Sequence, residues 1–373
     1  MRICVLHNRD YDVLADDPGR EAREDVIRVA SALANALETT GATTSILPVG
    51  EDALGFVETL RREPPDLVVN LCESLLADSR GEMTVPALLD ILGIPYTGSS
   101  SLSLGLALHK HKAKELLRAR GVPTPDFFLI ERVEDVIRAK VPFPAIVKPC
   151  REDASAGIDF DAVVTDRHQL ARAARAVLRN FRQPALVERF VDGREIYVSI
   201  LGNRPRRALP LTEIRFGPAF AGRPRIVSYG AKWDTASPEA VDSPALPCVL
   251  PPRLEAAVVQ TALAAFESLE CRDYGRVDIR LSEDEQPYVI DVNPNCDLHP
   301  SAGFARAALA GGTDYPALAL ELVEIALERT HGDTTYRTAR SRSARGAVGP
   351  NRDLLAGRSG LRVGAHRRRA QAE

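Results

Sequence analysis

The chain has 373 residues, 45% hydrophobic and 27% charged, with a formal net charge of −3, enough apolar material for a large core and a length that predicts two or three domains. No stretch approaches the roughly 18 consecutive apolar residues of a membrane helix, and the start MRICVLHNRD lacks a basic segment followed by an apolar run, so a cytoplasmic protein without membrane insertion is expected. The charge is uneven: from His331 onward ten arginines face three acidic residues, a net +7 that leaves −10 for residues 1–330.

In chain order, RICVL (2–6) reads as an apolar strand, and Val26, Val29, Ala30, Leu33 and Leu37 give residues 23–38 helical spacing that Gly41 stops. The strand-like TTSILPV (43–49), a helix near 53–62 and the strand DLVVNL (66–71) complete a βαβαβ pattern, which predicts a parallel sheet with flanking helices. VPALLDILGIPYTG (85–98) gives a helix closed by Gly93, and Ser99–Ser103 is rich in capping residues for the next helix. A basic helix, HKAKELLRAR, ends at Gly-Val-Pro before a strand, and FPAIVKPCREDASAGIDF (143–160) reads as strand, polar small-residue loop and return. After a helix at 167–180, ALVERF and IYVSILGN flank Asp192-Gly193 and predict an antiparallel pair. The Pro- and Arg-rich stretch 203–247 reads as irregular, followed by helices at 252–270 and 315–329. Residues 331–373 predict a disordered basic tail whose arginines are not interleaved with aromatics, so no specific nucleic-acid partner is expected. The six cysteines stand singly without C-x-x-C spacing, which predicts reduced, mostly buried thiols.

YGRVDIRLSEDEQPYVIDVNPN (274–295) predicts a hairpin. A symmetric turn at 282–287 sets Leu281 opposite Tyr288, Ile279 opposite Ile290 and Val277 opposite Val292 on an apolar face. It also sets Asp278 directly opposite Asp291, where like charges repel unless compensated. With Asn293 on the same face they form a hard-oxygen set suited to magnesium beside phosphates, and Arg276 lies opposite Asn293. A solvated hairpin whose arginine neutralises the acids remains the alternative. Lys148 ends a strand before CREDASAG, where Ser155 and Gly157 leave room for backbone N–H groups to close over phosphate oxygens. Glu188 and Glu195 stand near strand ends, placed to accept from a base or ribose.

Five blocks carry a resemblance: LLDILGIPYTGSSSLSLGLALHKHKAKELLRARGVPTP, FPAIVKPCREDASAGI, LVERFVDGREIYVSILGN, YGAKW and GRVDIRLSEDEQPYVIDVNPN. In this order and spacing the chain resembles the ATP-grasp superfamily, in its D-alanine–D-alanine ligase-like branch, from about residue 1 to 330. The resemblance implies an α/β fold of three domains, at 1–98, 99–186 and 187–330, with ATP between the second and third. It implies that Lys110 and Lys148 contact nucleotide phosphates, that Glu188, Arg189 and Val191 line the adenine side, and that Glu195 holds the ribose. Lys232 would reach the transferred phosphoryl group, Arg276 would steady the acyl phosphate, and Glu24 would orient the amino-acid substrate. Asp278, Asp291 and Asn293 would bind magnesium, with manganese as the alternative ion. The partners implied are a small carboxylate and a small amine, and a homodimer is open.

Several positions depart from the ligase pattern: Asp153-Ala154-Ser155 stands for Gly-Ser-Ser, Trp233 for a tyrosine and Asp291 for a glutamate. PNCDLHPSAGF after Asn293 replaces the run that holds the second D-alanine, and NLCESLLADSRGE lacks the family's His-Gly start. The expectation is therefore an ATP-dependent carboxylate–amine ligase of unassigned substrate. D-alanine–D-alanine ligase and a non-catalytic ATP-binding protein are the alternatives. Asp297 and His299 in the altered loop point to a larger or more basic acceptor than D-alanine.

Overall fold

The structure is a computed structural model that describes residues 1–9, 20–50, 52, 54–153, 155–234 and 236–332, so the basic tail from 333 onward lies outside the described residues. The N-terminal part runs β1 (Arg2–Asn8), α1 (Arg20–Thr39), β2 (Thr43–Val49), α2 (Gly55–Arg62), β3 (Leu67–Asn70) and α3 (Thr84–Leu92). Its three strands form a parallel sheet in the order β2-β1-β3. Alternation along β1 and β3 explains the layers: Ile3, Val5, Leu67 and Val69 enter one apolar cluster with Val29, Leu33 and Leu37 of α1. Cys4, Leu6 and Val68 enter another with Phe56 and Leu60 of α2 and Leu89 of α3. Gly93 closes α3 with φ +66°, a left-handed cap that suits glycine.

Next come α4 (Ser101–Leu108), whose N-terminus is capped by Ser100, α5 (Lys110–Ala119), β4 (Phe127–Ile130), β5 (Ala145–Pro149), β6 (Val163–Val164), α6 (Arg167–Asn180) and β7 (Ala185–Arg189). The strands form an antiparallel sheet in the order β4-β7-β5-β6. Val147, Val187 and Ala145 pack with Leu170, Ala174 and Val177 of α6 on one face.

The remainder comprises β8 (Gly193–Leu201), β9 (Arg207–Ala208), β10 (Thr212–Ile214), α7 (Tyr229–Trp233), α8 (Pro238–Val241), β11 (Ala245–Pro247), α9 (Pro252–Ser268), β12 (Tyr274–Ser282), β13 (Pro287–Asn293), α10 (Gly303–Ala310) and α11 (Tyr315–Gly332). Its sheet has the order β11-β10-β8-β12-β13, with β9 beside β8. One face, with Ile196, Val198, Val277, Ile279 and Val289, packs on α9 through Val258, Ala262 and Phe266. The last two helices return to the first sheet, where Phe304, Leu318 and Leu322 complete its core.

Three expectations are corrected here. The strands flanking Asp192-Gly193 are not a hairpin: β7 is already paired on both edges, with β4 and β5, so the chain crosses to the other sheet and β8 pairs with β10 and β12. Gly193 begins β8 opposite Ser282, and a Cβ there would lie 2.1 Å from the Leu281 carbonyl oxygen, so the glycine serves close strand approach. The stretch 203–247 is not irregular throughout, since it holds β9, β10, α7, α8 and β11. The hairpin of β12 and β13 keeps the expected register only at its base. Val277 faces Val292 and Asp278 faces Asp291, but beyond them Ile279 faces Val289 and Leu281 faces Pro287. Ile290 is the extra residue of a β-bulge. The backbone of Val289 is drawn outward instead, its N–H donating to Pro123 O at 2.9 Å and its carbonyl accepting from Thr124 Oγ1 at 2.8 Å.

Candidate active site

The second and third sheets turn their free faces toward each other and enclose a cavity of about 450 Å³, within the usual range for small-molecule sites. Strand alternation selects its lining. On β5 and β7 the residues between the core positions, Ile146, Lys148 and Glu188, point inward; on β12 they are Arg276, Asp278 and Arg280. The bulge turns Ile290 to the cavity beside Asp291 and Asn293, so two consecutive residues of β13 share one face.

Buried lysines dominate one end. Lys148 Nζ lies 2.8 Å from Glu188 Oε1, and Lys114 Nζ lies 3.2 Å from Glu188 Oε2 and donates to Thr124 Oγ1 at 2.8 Å. Lys148 also reaches the Ile290 carbonyl at 3.4 Å. Lys110 donates to both Asp153 Oδ1 and Asp291 Oδ2 at 2.8 Å. Burial opposes its charge, but the two carboxylates outweigh that and hold its pKa above the ordinary lysine value. Lys114 has only the shared Glu188, and burial pulls it down to about 8. Asp291 is the converse: burial works against its charge, yet Lys110 and Lys148 lower its pKa.

The repulsion expected between Asp278 and Asp291 is thus relieved by cations of the protein itself. Arg276 grips Asp278 through two hydrogen bonds, Nε to Oδ1 at 2.6 Å and the terminal nitrogen to Oδ2 at 2.9 Å, while Lys110 holds Asp291. Asn293 Nδ2 donates to Asp278 Oδ2 at 3.2 Å, and Asp291 lines the same cavity. Arg276 also lies over the Tyr197 ring, 4.4 Å from its centroid.

Glu195 accepts from Tyr197 Oη at 3.0 Å and pairs with Arg280 at 2.7 Å. Arg189 and Val191 line the cavity near Tyr288, whose ring lies 4.8 Å from the Arg189 guanidinium. In the loop after β5, Ser155 has φ +62° and donates to Val227 O at 2.9 Å. Gly157 has φ +73°, and a Cβ there would meet Phe181 at 2.7 Å, so side chains are barred twice over. Lys232 of α7 lines the cavity as well. Glu24 lies on α1, but its side chain is outside the described residues.

Lys110, Lys148, Ser155, Glu188, Arg189, Val191, Glu195, Lys232, Arg276, Asp278, Asp291 and Asn293 therefore line one cavity. Sequence reading missed Lys114, Arg280 and Tyr197, although periodicity carries each: Lys114 stands four residues after Lys110 on one helix face, and Arg280 and Tyr197 stand two residues beyond Asp278 and Glu195 on their strands. It also missed Glu73 and Glu82. They line a second chamber of about 130 Å³ that shares Lys232, Arg276 and Asn293 with the first, and no local pattern marks them.

Residues 116–324 match the family model described as the D-ala D-ala ligase C-terminus. A D-alanine–D-alanine ligase of Desulforamulus reducens is 32% identical over 324 residues, covering 83% of this chain and 97% of that protein. The chain belongs to the D-alanine–D-alanine ligase family. It therefore has the ATP-grasp fold and is an ATP-dependent ligase of the kind that forms carbon–nitrogen bonds. A family relative from Sinorhizobium fredii, the uncharacterized protein y4sG, is 34% identical over 318 residues, covering 82% of this chain and 89% of that one. The solved D-alanine–D-alanine ligase of Bacillus anthracis complexed with ATP aligns with a TM-score of 0.68 at 22% identity, covering 92% of this chain and 99% of that chain, and shares its fold. Among the described residues no helix is long and apolar enough to cross a membrane, and no cluster of three or more histidine, cysteine or acidic side chains forms a separate metal site.

Proposed function

We propose that the protein activates a small carboxylate with ATP and joins it to a small amine other than D-alanine. One observation carries this reading: a cavity lined by the buried Lys110 and Lys148 and by the Asp278, Asp291 and Asn293 oxygens opens at Lys232 and Arg276 onto a second chamber. Nucleotide on one side and acyl substrates on the other is the arrangement such a reaction needs.

In this reading Lys110, Lys148 and the Ser155–Gly157 loop hold the phosphates, and Glu188 acts through Lys148 and Lys114 by fixing their positions. Arg189 and Val191 bound the adenine end, and Glu195 faces the ribose. The donor set of two carboxylates and an amide oxygen fits magnesium, with manganese as the alternative, and Asp278, Asp291 and Asn293 are the residues that would hold it. That ion would offset charge on the phosphates. A carboxylate oxygen attacks the γ-phosphorus and the bond to the ADP oxygen breaks. The amine nitrogen then attacks the acyl carbon, the carbon–oxygen bond to phosphate breaks with its electron pair, and the nitrogen loses a proton to solvent. Lys232 and Arg276, at the junction of the chambers, face the charge that develops in both steps.

The three sheets support lobes divided near residues 98 and 190, since β7 ends at Arg189 inside the second sheet. Free cysteines, five buried and Cys248 half-buried, suit a cytoplasmic enzyme. No nucleic-acid partner is included, and a light-scattering mass of one chain would remove the homodimer from this reading. The reading itself is tested by phosphate release from ATP and magnesium over a panel of amino acids and peptides, with products weighed by mass spectrometry. We expect amine-dependent phosphate release with a condensation product. The highest rate with D-alanine alone would establish a D-alanine–D-alanine ligase instead, and the absence of ATP binding would leave a non-catalytic protein.

A further inference from the structure

We propose, resting on the ligase reading above, that the amine substrate carries a second, positively charged group, as a basic amino acid or diamine does. The second chamber is the place to look, because it adjoins the nucleotide cavity through Lys232, Arg276 and Asn293. Its charges can be accounted for one by one. Arg276 is engaged by Asp278, Asp153 by Lys110, and Glu152 accepts from Gln183 Nε2 at 2.8 Å. Among the described residues Glu73, Glu82 and Asp297 remain on the wall without an ion pair, and so does the lining cation Lys232, whose charge acts on Glu73 and Asp297 and leaves the acids in excess.

Glu82 is the decisive group. It is only 8% exposed, and Oε1 accepts from Asn295 Nδ2 at 3.1 Å, while its second oxygen has no hydrogen-bond partner among the described residues. Solvent reaches that oxygen from the chamber, so a cation that enters the chamber can reach it too. Burial and the nearby Asp153 push its pKa well above the carboxylate range, a shift that a ligand ammonium would reverse. Asp297 is exposed at the mouth, its Oδ1 held by the His299 N–H at 2.7 Å, and His299 itself is tied to Ser301 Oγ at 2.8 Å. Beyond Glu73 and Asp297 the chamber continues into a smaller one of about 60 Å³. There Val29, Leu71, Trp233 and Leu298 give an apolar wall for a methylene stem, and Asp25 at its edge is paired with Arg28. D-alanine would use none of this, and its carboxylate would face the acidic wall.

The test compares isosteres on the full-length protein with ATP and magnesium: lysine against norleucine and arginine against citrulline, each as both enantiomers, with D-alanine alongside. We expect the charged member of a pair to exceed its neutral isostere in kcat/KM by about tenfold or more, the scale of one charge-assisted hydrogen bond. Asp297→Asn, at an exposed position, and Glu82→Gln should each shrink that ratio several-fold. Neutral isosteres or D-alanine turning over as well as the charged amines would overturn the inference and leave the ligase reading standing. No amine-dependent phosphate release from any of them would overturn both.

Discussion

Asp291→Asn lowers ligase turnover by about a hundred- to a thousandfold, the usual loss when one preorganised charge facing the transition state is removed, and the variant still melts as a folded protein. The substitution keeps the volume and removes the charge. It does not orphan Lys110, because that ammonium keeps Asp153 at 2.8 Å, and Asp278 keeps Arg276. Stability therefore changes little, whereas a cation-binding oxygen is weakened, and the magnesium concentration for half-maximal rate should rise with the fall in rate. Turnover and thermal melts over a magnesium titration check this. Unchanged activity at limiting magnesium would remove Asp291 from the metal site.

Lys148→Ala abolishes stabilisation by ATP. Ligand at a hundred times its dissociation constant stabilises a protein by about 2.7 kcal/mol through mass action, a clear rise in melting temperature for the wild type and none for the variant at the same concentration. The variant should also be less stable without ATP, since breaking one partner of a buried ion pair costs roughly 3–5 kcal/mol, here reduced because Lys114 still holds Glu188 at 3.2 Å. The variant Lys148→Met separates the two effects: it fills the space of the lysine stem and leaves Glu188 paired with Lys114 at 3.2 Å, and it should recover part of the stability but not ATP binding. Calorimetry with ATP and magnesium decides, and undiminished affinity in both variants would exclude Lys148 from the phosphate site.

The parts legible in the sequence are those fixed by local period. Helix spacing matched α6 at both ends, α9 to within two residues and α1 to within three, and the facing pair Asp278 and Asp291 stands as the strand period placed it. Next to the turn the count is off by one residue, Leu281 facing Pro287 rather than Tyr288, and the Ile290 bulge restores it at Asp278; there the Val289 backbone bonds to Pro123 and Thr124, partners some 165 residues away that no hairpin pattern contains. The same reason hid the crossing at Asp192-Gly193: whether two adjacent strands pair depends on which edges are already taken, and β4 and β5 had taken both edges of β7. Lys114 and Arg280 were readable from period alone once Lys110 and Arg276 were singled out. Glu82 was not, since its chemistry comes from Asn295, 213 residues on, and from a chamber that exists only in the folded chain.

The most direct test of the mechanism is the fate of a carboxylate oxygen. With an amine that supports turnover, the acid substrate labelled with oxygen-18 in its carboxylate is converted to product, and the released phosphate is weighed. Passage through an acyl phosphate predicts one labelled oxygen transferred to phosphate for each amide bond formed. Phosphate released without label, at a rate that matches ATP consumption, would mean that water rather than the carboxylate takes the phosphoryl group, and would contradict the ligase mechanism.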